Sequence, residues 1–169
     1  MDNVIFTRRS VRTYLDKPVE EDKIRQLLAA AMQAPSAASQ KAWEFIVIQD
    51  RMRLKQLSAY SPYAKMMANA ALAIVVLGNT QRMVLHGMWQ QDLGAATQNI
   101  LLEAVNQDLG AVWLGVFGDD SNVKWVMQFF NLPQYIIPYA IISIGYPAKQ
   151  DANHFVDRFD ASRIHDEQY

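Results

Sequence analysis

The sequence predicts an α+β fold, one domain over residues 1–169 with a mixed central sheet. Three observations predict it. The length, 169 residues, suits a single domain. Apolar residues make up 51%, more than a disordered chain carries and enough to build a packed core. Helical and strand patterns alternate along the chain without the regular strand–helix–strand units of a parallel α/β sheet.

The elements follow in order. Residues 20–34 read as a helix, because Ile24, Leu27, Leu28 and Ala31 recur at helical spacing. Glu20, Glu21 and Asp22 stand in its first turn, where the helix dipole favours acids, and Pro35-Ser36 ends it. Residues 43–49 (WEFIVIQ) are aromatic and β-branched and read as a strand. Residues 52–59 and 63–69 read as short helices, the second opening after Pro62. The continuous apolar run at 71–77 suits a strand covered on both faces. Residues 84–109 form the longest helical pattern, apolar on more than one side, so it is buried centrally or meets a partner. Gly110 is its expected C-cap. Residues 111–117 read as a strand in which Gly115 marks a bulge or a close backbone approach. Asp120 or Ser121 caps a helix to Asn131, and residues 137–146 form a last strand. From Pro147 on, apolar residues are scattered and cannot form a core of their own.

Composition excludes several classes. The 16 Lys+Arg and 17 Asp+Glu leave a net charge of −1, without the basic excess of a nucleic-acid binder. There is no Cys, which excludes disulfides, thiolate-held clusters and a Cys nucleophile. The opening Met1-Asp2-Asn3 has no basic flank and apolar run, and the longest apolar stretch, 70–77, falls short of a membrane span. The expectation is a soluble, cytoplasmic protein without membrane partners.

Dinucleotide, Walker, G-x-S-x-G and H-E-x-x-H motifs are all absent. His86, His154 and His165 share no ligand spacing, so no metal is expected. With no acid–base machinery in view, an enzyme built on this chain would rely on a bound cofactor.

Four segments carry positive signals. Arg8-Arg9-Ser10-Val11-Arg12 sets three guanidiniums and a hydroxyl within five residues. If extended, it points Arg8, Ser10 and Arg12 the same way, an arrangement suited to phosphate or to a solvated basic face. Residues 34–43 join a helix end to a strand through small side chains that let a flat ligand approach the backbone. Gly115 opens space on one face of its strand. Arg158, in Arg158-Phe159-Asp160, could close over an anion, as could Arg163.

Taken together, six segments in order resemble the small members of the nitroreductase family of FMN-dependent oxidoreductases. They are Arg8–Arg12 with Tyr14 and Lys17-Pro18-Val19; Ala34-Pro35-Ser36-Ala37 leading to Trp43-Glu44-Phe45; Ala95-Ala96-Thr97-Gln98-Asn99; Trp113-Leu114-Gly115-Val116-Phe117; Gly145-Tyr146-Pro147; and Arg158-Phe159-Asp160. They cover nearly the whole chain. The resemblance implies a mainly antiparallel sheet flanked by helices in an intertwined homodimer. FMN would lie at the subunit interface, with residues 148–169 an arm on the partner. It implies that Arg8, Arg9, Ser10 and Arg12 contact phosphate, ribityl chain and ring edge, and that Arg158 is a second phosphate contact. Pro35, Ser36, Ala37 and Ser39 correspond to the loop laid against the partner's flavin, and Leu114 and Gly115 to the strand facing N5 and O4.

The loop departs from the family pattern, which has Asn at Ser39, Gln at Lys41 and Pro at Ala42. Lys41 either brings positive charge near N1 and O2 of the flavin or points into solvent. His86, Met88 and Trp89 are candidates for the oxidant pocket, with helix core the competing role for Met88 and Trp89. The implied activity is ping-pong hydride transfer through flavin N5, from NAD(P)H to nitroaromatics, quinones or similar flat electron-poor acceptors. The alternative is an FMN-binding redox sensor or flavin carrier with little turnover.

Overall fold

The computed structural model describes residues 3–169; Met1 and Asp2, read above for a leader, lie outside the described residues. Among the described residues, five α-helices and four strands alternate: α1 (Val4–Thr7), α2 (Glu21–Met32), β1 (Trp43–Ile48), α3 (Arg51–Leu57), β2 (Leu72–Asn79), α4 (Trp89–Asn106), β3 (Gly110–Gly115), α5 (Asp120–Phe130) and β4 (Ile136–Gly145). The sheet order is β1-β2-β4-β3, and all three pairings are antiparallel. One parallel bridge, Ser10 to Ala111, lays the N-terminal segment beside β3 and gives the sheet its mixed character.

β2 is buried at all eight positions because both sheet faces are covered. Leu72, Ile74 and Val76 point toward α2 and α4 and pack with Leu27, Leu93 and Ile100. Ala73, Val75 and Leu77 alternate to the other face and pack with Leu54, Leu57, Met67 and Val126. A Leu, Ile or Val side chain fully buried in these layers contributes about 1.5–3 kcal/mol relative to exposure.

The predicted elements are all present, with shifted ends. Residues 62–69 form a tight 3₁₀ run, capped by Ser61, whose Oγ accepts from Tyr63 N. The long helix begins at Trp89 rather than 84, because the amides of Val84 and Leu85 donate to Gln40 Oε1 instead of opening a helical turn. It ends through Asp108, at φ 60°, with Leu109 N donating to Ala104 O at 2.7 Å. Gly110 is therefore not its cap but the first residue of β3. The register shift of the sheet falls at Val76/Leu77 and not at Gly115. Asp119, one residue earlier than expected, caps α5 by accepting from the amides of Ser121 and Asn122. Helix α1 was not anticipated: four residues carry no periodicity, and its signal is Asn3, whose Oδ1 accepts from Ile5 N.

Candidate functional site

The arginine segment is held along β3 from beneath. Val11 N donates to Ala111 O at 3.0 Å, and the Val11 side chain is buried against Gly110. Burial alternates as an extended strand requires: Val11 faces in, while Ser10 and Arg12 are exposed. Arg9 behaves differently. Its guanidinium turns back to donate to Arg8 O at 2.5 Å and Phe6 O at 3.0 Å, leaving Nε buried without a partner. Asn153 fastens the tail here, accepting from Arg9 N and donating to Leu109 O.

Arg8 is partly buried, and its guanidinium is pushed below the usual arginine range by that burial, then by the charges of Arg9 and Arg158. The fold thus brings Arg158, from the far end of the chain, near enough for its charge to be felt at Arg8. Among the described residues, no ion pair engages Arg8, Arg9, Arg12 or Arg158. Arg163 is not part of this group; it pairs with Asp160 at 2.9 Å.

Arg12 also lines an open cavity of about 520 Å³, together with Tyr60, Met66, Trp113, Leu114 and Gly115. A Cβ at Gly115 would meet nothing within 4 Å, so this end of β3 leaves an unobstructed surface. The Tyr60 hydroxyl donates weakly to Gly115 O at 3.4 Å, and burial pushes its phenol well above the usual tyrosine range.

The small-residue loop lies elsewhere: none of residues 35–41 lines that cavity. Its backbone is strained, with Ala38, Ser39 and Lys41 at φ 49°, 53° and 45°. A left-handed residue with a Cβ costs roughly 1–2 kcal/mol. Hydrogen bonds hold this shape: Ser36 Oγ accepts from Lys41 N at 3.1 Å, and Asp92 Oδ1 accepts from Ala37 N at 2.9 Å. Gln40 Nε2 donates to Asp92 Oδ2 at 2.5 Å. Sequence reasoning missed Gln40 and Asp92. Asp92 had a signal, an acid three residues after Trp89 and four before Ala96 on the apolar face of the long helix; Gln40 had none.

The oxidant-pocket candidates separate. His86 and Met88 are exposed. Trp89 is a core residue, 5% exposed, with its ring edge-on to Phe117 and Tyr139 at 4.7 and 5.9 Å. Among the described residues, no group of three His, Asp or Glu is placed to hold a metal, and no helix is long and apolar enough to cross a membrane.

The comparison that decides the family is with its sequence model: the model described as Nitroreductase family matches residues 5–76 and 53–146. The chain belongs to the nitroreductase family. An Archaeoglobus fulgidus relative, provisionally named an NADH dehydrogenase/NAD(P)H nitroreductase, is 39% identical over 168 residues, covering 98% of this chain and 97% of its own. A solved Clostridium acetobutylicum protein, provisionally named an NADH oxidase, superposes with a TM-score of 0.96 at 51% identity, over 98% of this chain and 99% of the other. A Clostridium difficile protein named an FMN-dependent nitroreductase superposes at 0.89 with 30% identity, over the full length of both chains. A Desulfovibrio desulfuricans protein, provisionally named a nitroreductase and solved in complex with FMN, superposes at 0.83 with 30% identity, over 98% of this chain and 95% of its own. The α+β nitroreductase fold expected from the six segments is the fold observed.

Proposed function

We propose that this nitroreductase-family chain is an FMN-dependent oxidoreductase that uses NAD(P)H to reduce nitroaromatics, quinones or similar flat electron-poor acceptors. One observation carries the reading. Arg12 belongs at once to an arginine segment that has no carboxylate partner among the described residues and to the wall of the cavity formed by Leu114 and Gly115.

The residues fit FMN. A phosphate monoester supplies the negative charge that Arg8 and Arg158 lack, and charge-assisted hydrogen bonds to it contribute about 1.5–3 kcal/mol each. Arg9 Nε is an unpartnered buried donor beside them. Gly115 leaves room for a flat ring. In this reading Arg8 and Arg158 hold the phosphate, the Ser10 hydroxyl binds the ribityl chain, and Arg12 binds the ring edge. Leu114 and Gly115 present backbone to the ring. When bound, FMN supplies the hydride chemistry at N5 that serves reductant and oxidant in turn. The chain's part is to orient the ring, balance its charge and leave one face open, so no side chain is assigned as general acid.

We further propose that the working unit is a homodimer with FMN at the subunit interface. The loop at 35–41 then reaches the cavity of the partner subunit rather than its own. Residues 148–169 serve as an arm on the partner: Phe155, Phe159, Ile164 and Tyr169 are all exposed in the single chain, and a second copy would cover them.

Anaerobic titration with NADPH, followed by visible absorption, tests the reading. The expected result is a yellow protein bleached by stoichiometric NADPH or, failing that, NADH. Yellow protein that neither nucleotide reduces would favour the flavin carrier, and protein that takes up no FMN would overturn the assignment.

A further inference from the structure

Gln40 and Asp92 are both buried, at 9% and 5% exposure. Between them they make four hydrogen bonds. Gln40 Nε2 donates to Asp92 Oδ2 at 2.5 Å, and Ala37 N donates to Asp92 Oδ1 at 2.9 Å. Val84 N and Leu85 N donate to Gln40 Oε1 at 2.9 and 3.0 Å. One pair of side chains thus ties three pieces of backbone together: the loop at 36–41, the turn at 84–85 and the first turn of α4. Two of these matter for function. The loop carries the left-handed residues Ala38, Ser39 and Lys41. Strained backbone of that kind persists only where its surroundings over-determine it. The turn leads into the exposed segment with His86 and Met88.

We infer that Gln40 and Asp92 are positioning residues that lock the 36–41 loop and the 84–88 segment into one unit, setting the flavin-facing and oxidant-facing surfaces together. The inference rests on the FMN reading above. Neither residue is assigned a contact with cofactor or oxidant; both act through the backbone they hold. An apolar pair of equal volume would fill the space but leave three backbone N–H groups without acceptors, the costly side of the hydrogen-bond balance.

The chemistry of the pair provides its own test. Asp92→Asn sets two amides face to face and breaks one bond of the set. Gln40→Glu sets two carboxylates face to face, which keep the central bond only by sharing a proton, so its loss is read at mildly alkaline pH, where both ionise. The double variant Q40E/D92N restores all four bonds with donor and acceptor reversed: the introduced amide donates to the introduced carboxylate, and Ala37, Val84 and Leu85 keep their acceptors.

Three quantities are measured on the full-length protein. They are the FMN dissociation constant by fluorescence, KM and kcat for a soluble quinone with the holoenzyme, and amide exchange at Ala37, Val84 and Leu85. Each single variant is expected to weaken FMN binding about tenfold or more. Each is also expected to raise KM for the quinone and to speed exchange at the three amides. The double variant is expected to return all of these toward wild type. Single variants with wild-type FMN affinity and exchange would overturn the inference, as would a double variant no better than its parents. If the single variants do not fold, the double variant decides alone, by binding FMN as wild type does or failing to. If the wild-type chain takes up no FMN, the functional reading falls, while exchange at the three amides still decides whether this pair holds the loop.

Discussion

Val11 presses on Gly110 so closely that a Cβ at position 110 would stand 2.6 Å from Val11 Cγ1. This contact, together with the bond from Val11 N to Ala111 O, sets where Arg8 to Arg12 run along β3. Gly110→Ala is therefore expected to push the segment outward, at an overpacking cost of about 1–3 kcal/mol. Thermal unfolding reads the stability loss, and a parallel fall in FMN affinity reads the displacement of the arginines. Wild-type affinity in this variant would mean that the segment's position does not govern the site.

The phosphate assignment is tested by Arg8→Ala and Arg158→Ala, made singly and together. The pair lies at opposite ends of the chain, so a shared effect reports a shared ligand. Loss of FMN on gel filtration, with an unchanged circular dichroism spectrum, is the expected outcome. Full FMN occupancy would refute the site.

Trp89 and Met88 are neighbours in sequence and opposites in packing. Trp89→Ala empties a space bounded by Phe117, Tyr139 and Gly78 and is expected to cost about 3–5 kcal/mol. Met88→Ala changes an exposed side chain and is expected to stay within about 0.5 kcal/mol while altering KM for the oxidant. Denaturant unfolding of the two variants beside quinone kinetics separates core from pocket.

Lys41 is exposed, with its backbone amide tied to Ser36 Oγ. Lys41→Gln keeps the length and removes the charge. A lower flavin reduction potential, measured by equilibration with a reference dye, is expected if the ammonium faces the ring edge. An unchanged potential would assign Lys41 to solvent.

Tyr14 contributes to the alkaline limit of stability. Its hydroxyl lies 2.8 Å from Val11 O and 3.0 Å from Ser143 O, and burial pushes its pKa up to about 12, opposed by the charge of Arg12. The folded state keeps this proton to higher pH than the unfolded chain. Stability is therefore fully present below about pH 10 and falls as pH rises toward 12, by about 3 kcal/mol from this group. Burial pushes Tyr60 and Tyr139 the same way and adds to the fall. Tyr14→Phe should flatten its share of the decline in a urea-unfolding series from pH 8 to 11.5; an unchanged slope would remove Tyr14 from the account.

Local chemistry determined most of the fold. Leu27 and Ala31 at helical spacing, the apolar run of β2 and the aromatic and β-branched residues of β1 act within a few residues, so α2, β1, β2, β3, α5 and β4 could be read directly from the chain. The arginine segment and Gly115 were legible for the same reason: a charge cluster and a missing side chain signal without their neighbours. Other features were decided only by tertiary structure, because they depend on contacts between residues distant in sequence. Gln40 takes the amides of Val84 and Leu85, and the long helix starts at Trp89 instead of 84. Val11 occupies the place of a Cβ at 110, which makes Gly110 a packing requirement and not a cap. Asp92 reaches back 52 residues to Gln40 to brace a strained loop. Side-chain periodicity records which face of an element is buried. Which distant donor a buried carboxylate or amide will meet is settled only when the sheet and helices have brought them together.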